Sequence, residues 1–79
     1  MQDNHFSTSD FYLAAYCVAQ GMKIAGISRS GSGKATFLLE GAPKGRELMK
    51  EFLFSDPNVE AKRFVSAIKE LKQLLYSVA

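Results

Sequence analysis

A chain of 79 residues has material for one hydrophobic core, because a fold of this size buries only roughly 60% of the surface its unfolded chain exposes. One cysteine, Cys17, and one histidine, His5, exclude an internal disulfide and a Cys/His zinc cage, which leaves self-association as the remaining staple for a small core. Ten Lys and Arg against eight Asp and Glu give a net charge of +2, which permits a polyanionic partner without demanding one.

The charge is unevenly distributed. No Lys or Arg precedes Lys23, and from Lys23 onward ten basic residues face six acidic ones. The longest uncharged run, Phe11 to Met22, is 12 residues, well short of the roughly 20 that a membrane span needs. The first residues lack the basic stretch of a secretory signal, so a soluble, cytoplasmic protein without a membrane association is expected.

Residues 1–5 are polar and are expected to fray, leaving a single compact domain over 6–79. The run Phe6-Ser7-Thr8-Ser9-Asp10-Phe11 offers hydroxyl caps and an acid for a first helical turn. If Ser7 is the cap, Phe6 would staple onto Phe11. A first helix is predicted over about 9–20, closed by Gly21 in a left-handed cap. It has no charged side chain from Phe11 through Gln20, so it must be covered on more than one side, by the chain's own core or by a second molecule.

Residues 23–40 read as two β-prone segments around Ser30-Gly31-Ser32-Gly33, a hairpin with a four- or five-residue loop. Two registers compete. In the preferred one Ile27 opposes Phe37 and Ala25 opposes Leu39; in the other, slipped by one residue, Ile24 opposes Leu39 and Gly26 opposes Phe37. A lone ribbon is marginal in water, so a further strand is called for, either Phe6 to Thr8 or the edge of a second molecule.

After the break at Gly41-Ala42-Pro43, a second helix is predicted over about 44–54, with Leu48, Met49, Phe52 and Leu53 on one stripe. Ser55-Asp56-Pro57-Asn58 stops it. The last helix begins between Pro57 and Ala61, where Val59 would staple to Phe64 with Glu60 as the cap. It carries Ala61, Phe64, Ile68, Leu71, Leu75 and Val78 at alternating spacings of three and four, widened by Val65 and Leu74. That stripe reads either as packing on the domain's own core or as a dimer seam through Ile68, Leu71 and Leu75. The fold class is therefore α+β: helix, two-stranded antiparallel hairpin, helix, helix, with the first and last helices on one face of the hairpin and a possible extra or dimer-completed edge strand.

Chemistry has few parts to work with. Gly31-Ser32-Gly33-Lys34 suggests a phosphate loop, but Ser28 stands where the first glycine is required, Ala35 where the magnesium-binding hydroxyl is required, and a strand follows instead of a helix. Cys17 lies among apolar neighbours, and Asp10 has a sufficient role beside the first amides of a helix. With no positioned acid, base or metal cluster, no catalytic residue, cofactor or metal site is expected. Tyr12 and Tyr16, one helical turn apart, and Tyr76 are candidates for a protein-binding surface or for the core edge. Nucleic-acid contact would fall to Arg29 and Lys34 at the hairpin tip and to Lys62, Arg63, Lys69 and Lys72 of the last helix, against the interleaved Glu60 and Glu70.

The segment Phe6 to Ala14, Gly21, Gly26-Ile27 before the Gly-rich turn, Thr36-Phe37, Phe64 and Glu70-Leu71-Lys72 together resemble a family of small bacterial and phage proteins classed as a domain of unknown function. The resemblance spans Phe6 to Tyr76 on capping, turn and apolar positions. It implies the fold and a bacterial or phage context, and no catalytic residue. The expected function is a noncatalytic binding or assembly module, a homodimer or a partner of an unidentified protein; the alternative is a nucleic-acid-binding accessory protein.

Overall fold

The computed structural model describes residues 4–77. In chain order the elements are β1 (His5–Thr8), α1 (Phe11–Ala19), β2 (Ile24–Arg29), β3 (Ala35–Glu40), α2 (Ala42–Phe54) and α3 (Ala61–Ser77). The fold is α+β, and the additional strand is supplied by the chain itself. β1 pairs antiparallel with β3, Phe6 opposite Leu39 and Thr8 opposite Phe37, giving a sheet of order β1-β3-β2. Both neighbours of β3 run against it, so β1, α1 and β2 form a β-α-β unit split by β3. His5, expected in a frayed tail, is the first residue of β1 and stands opposite Glu40; of the five residues expected to fray, Met1 to Asp3 lie outside the described residues, as does Val78 of the predicted last-helix stripe.

The cap of α1 is Asp10 rather than an earlier hydroxyl. Its Oδ1 accepts from the amides of Tyr12 at 3.0 Å and Leu13 at 3.1 Å, while Thr8 Oγ1 accepts from the Asp10 amide at 3.1 Å. Because Phe6 is committed to the sheet, the helix starts later than a Ser7 cap requires, and no Phe6–Phe11 staple of that kind forms. Phe11 instead meets Phe37 edge-on at 5.9 Å. At the other end Gly21, with φ +104°, closes α1 as expected. The Met22 amide donates to Cys17 O and the Gly21 amide to Val18 O, both at 3.0 Å, the paired bonds of a Schellman cap.

The hairpin uses a part of each competing register. From the tip inward Arg29 opposes Ala35, Ser28 opposes Thr36, and Ile27 opposes Phe37; beyond a bulge at Ala25, Ile24 opposes Leu39. The expected Ala25–Leu39 and Gly26–Phe37 pairs do not form. Ile24 and Ile27 are an odd number of residues apart and would fall on opposite faces of a regular strand, so the extra residue is what lets both pack on the core. The tip is tighter than expected: Ser30 N donates to Lys34 O at 3.0 Å and Gly33 N to Ser30 O at 2.9 Å, leaving three residues in a turn completed by Gly33 at φ +86°.

Helix α2 starts two residues before the expected boundary, because Pro43 is accommodated in the first turn, where an amide is not needed. The Asn4 carbonyl accepts from the Gly41 and Ala42 amides at 3.0 and 2.7 Å, tying this helix start to the residue before β1. Leu48 is buried, Met49 and Phe52 pack at the core edge, and Leu53 is turned to solvent, off the predicted stripe.

The expected layering is also corrected. α1 and α2 pack on β1 and β3, and α3 packs on α1. The uncharged helix is thereby enclosed by the sheet, α2 and α3, with Leu13, Ala14, Ala15, Tyr16, Cys17 and Ala19 all buried. Its missing charge is explained by core burial in a single contiguous cluster that includes Phe6, Phe37, Leu39, Leu48 and Leu71.

Candidate functional site

The residues proposed from the sequence for nucleic-acid contact fall into three places. Arg29 is held within the fold: Nη1 donates to Gly33 O and Nη2 to Leu75 O, each at 3.2 Å. A cation on a carbonyl of the last helical turn is a favourable cap, and it brings the hairpin tip, with Lys34 exposed beside it, against the C-terminal end of α3. Arg63 is turned toward α1, where with Lys62, Ser66, Ala67 and Glu70 it borders an open cleft of about 290 Å³ against Val18 and Ala19. The small Ala19 and Ala67 side chains leave this gap between the helices. Glu70 opposes any anion there.

Lys62 and Lys69 share the solvent face of α3 with Lys72. At 100° per residue, Lys62, Val65, Lys69, Lys72 and Tyr76 lie within about 80° of arc, over roughly 21 Å of helix. All five are exposed, Val65 at 49% and Tyr76 at 77%. No acidic residue lies on this arc; Glu70 sits about 120° round from its centre. Within the described residues no hydrogen bond or ion pair engages Lys62, Lys69 or Lys72. Lys44, by contrast, spends its ammonium on the Gln20 carbonyl at the end of α1.

The residues proposed for a self-association seam face inward. Leu71 is fully buried, and Ile68 and Leu75 pack at the edge of the core cluster. The apolar stripe of α3 is thus occupied by this chain's own α1. Val65, assigned from the sequence to the margin of that stripe, lies outside it, and the recurrence of Lys62, Val65, Lys69, Lys72 and Tyr76 at spacings of three and four is the signal that marks the opposite face. The exposed large apolar side chains away from α3 are Tyr12, Leu53 and Phe54, the last 82% exposed.

The tyrosines separate. Tyr12 is exposed and edge-on to Phe11 at 5.4 Å, whereas Tyr16 is buried against Phe52 at 5.6 Å. Tyr16 Oη donates to Glu51 Oε1 at 2.9 Å and accepts from Gln20 Nε2 at 3.1 Å. Burial, reinforced by Glu51, raises the Tyr16 phenol above its ordinary value despite the opposing Gln20 bond. Gln20 Nε2 also donates to Asn58 O at 3.1 Å, so the network ties α1 to α2 and to the segment entering α3. Cys17 is buried, and burial pushes its thiol up to about 11. Among the described residues no group of three or more His, Cys, Asp and Glu is placed to hold a metal, and no helix is long and apolar enough to cross a membrane.

With the capped α1, the Gly-rich hairpin and the terminal helix in place, the comparison with known families becomes informative. A family model described as Domain of unknown function (DUF5659) matches residues 3–77. The chain belongs to this family. The match runs from before β1 to the end of α3, so it takes in every element described above. No curated protein and no solved structure matches the chain.

Proposed function

We propose that this DUF5659 domain is a noncatalytic binding module of the cytoplasm that engages its partner through the solvent face of α3. The observation that carries this reading is the arc of Lys62, Val65, Lys69, Lys72 and Tyr76, exposed together while the other side of the same helix is packed on α1. Five exposed side chains on one rigid helix make a directional surface, and a surface of cations with Val65 and Tyr76 combines charge attraction with contact area. Tyr16 and Glu51 are engaged in the core-edge network and Arg29 on α3.

A photocrosslinking side chain placed at position 69 should yield discrete adducts in the native cells. The same group at Glu47, on the exposed side of α2, should not. Equal adducts from both positions, or none from position 69, would overturn the assignment of this face.

Self-association is the second reading, favoured by Leu53 and Phe54, exposed side by side at the end of α2. It expects a sedimenting mass above that of the monomer at tens of micromolar, lowered by Phe54→Ser. A monomer at that concentration would exclude it.

A further inference from the structure

We infer that the partner of the α3 face is the phosphate backbone of a nucleic-acid duplex. This rests on the reading that α3 is the recognition surface, and it follows from how that surface is built. The arc presents three ammonium groups with no hydrogen-bond or ion-pair partner among the described residues, while the carboxylate of Glu70 lies off the arc, at the cleft that Lys62 also borders. Over residues 61–77 four basic residues face one acidic residue, so the helix is cationic in a protein whose net charge is only +2.

The surface is a line, with one open depression of about 360 Å³ between Lys62, Val65, Ser66 and Lys69. Lys62 to Lys72 covers about 15 Å along the helix axis, and a duplex presents one phosphate charge per roughly 1.7 Å of its own axis. A linear row of flexible ammonium groups matches such a dense, regular array without requiring fixed phosphate positions. The Arg29 bonds bring the hairpin tip to the C-terminal end of α3, and Lys34 is exposed at that tip.

The sheet argues for a duplex over unpaired bases. Pleat alternation turns His5, Ser7, Gly26, Ser28, Thr36 and Leu38 to the side away from the helices. None is a Phe, Tyr or Trp, and single-strand recognition rests largely on stacking platforms of such side chains. A lipid surface fits less well, because an interfacial helix buries a broad apolar face and this arc has only Val65 and Tyr76.

The test is fluorescence anisotropy of a labelled duplex, as DNA and as RNA, titrated with the full chain across a salt series, beside the matching single strand and anionic vesicles. Duplex binding with a log–log salt slope of about −3 is expected from three to four neutralised phosphates. Combined Lys62→Gln, Lys69→Gln and Lys72→Gln should weaken it at least tenfold at low salt and flatten the slope, with thermal unfolding unchanged; Lys50→Gln on α2 should leave both slope and affinity intact. Absence of duplex binding, an unchanged slope in the triple variant, or preference for the single strand or for vesicles would each overturn the inference. Protein adducts from position 69 without duplex binding would refute the nucleic-acid partner while keeping α3 as the recognition face. Loss of both signals would remove the underlying reading as well.

Discussion

Gly45 of α2 lies so close over Phe6 of β1 that a Cβ built on the glycine would overlap the Cβ, Cγ and Cδ2 of the phenylalanine. These atoms stand at the base of a buried side chain and have no room to swing aside. Helix propensity alone favours Ala over Gly by about 1 kcal/mol, so the two effects have opposite signs. Overpacking of this kind typically costs about 1–3 kcal/mol. Gly45→Ala is therefore expected to destabilise the protein in urea unfolding; a stabilised variant would mean that β1 and α2 separate easily.

Asp10 should be replaceable by asparagine and intolerant of alanine. Asn keeps an oxygen for the Tyr12 and Leu13 amides, whereas Ala leaves both first-turn donors without a side-chain acceptor. The expected cost of Asp10→Ala is about 1 kcal/mol, with Asp10→Asn within a few tenths. Chemical unfolding of the pair measures the difference, and equal losses would show that carboxylate charge rather than capping geometry matters.

Arg29→Lys should fail to replace Arg29. The guanidinium reaches Gly33 O and Leu75 O at once through two nitrogens, and a single ammonium lacks that fork. Amide exchange at the C-terminal turn of α3 should accelerate several-fold in both Arg29→Ala and Arg29→Lys, while core amides of α1 change little. Unchanged exchange in α3 would mean that packing of Leu75 alone holds the turn.

Alkaline pH should weaken the fold through two buried acids. Cys17 titrates near 11 when folded and near 9.0 when exposed, so between these values the unfolded chain has released a proton that the folded chain retains, and stability falls as pH rises. Tyr16, also raised, acts in the same direction once its ordinary value is passed. Denaturant midpoints should decline above pH 9, less steeply in Cys17→Ala. Thiol reagents at pH 8 should label Cys17 at the rate of unfolding or opening, far slower than a free thiol.

Much of the fold is legible in the residues. Gly21 reads as a left-handed stop, the Ser30 to Gly33 run as a hairpin turn, and the uncharged run from Phe11 to Gln20 as an enclosed helix; each follows from a local backbone preference or from composition. The hairpin register is a different matter. Each competing alignment satisfied one isoleucine, and only insertion of Ala25 as a bulge satisfied both. The candidate site was half legible: Lys62, Lys69 and Lys72 read as a basic set on one helix, whereas the Leu75 carbonyl that Arg29 reaches and the cleft beside Val18 that Arg63 borders cannot be read from sequence spacing.

The sequence by itself determined the type and order of the main elements and the need to bury α1, because these depend on spacing, turn residues and composition. Tertiary structure decided that β1 pairs with β3, that α2 rather than α3 closes over the sheet, and which side of α3 meets water. A four-residue strand carries too little periodicity to choose between Phe6 to Thr8 and the edge of a second molecule, and an amphipathic helix shows that one side must be covered without showing by what. Those choices are made by contacts between residues distant in the chain, such as Phe6 with Gly45 and Arg29 with Leu75, where shape and hydrogen-bond partners exist only after the elements have met.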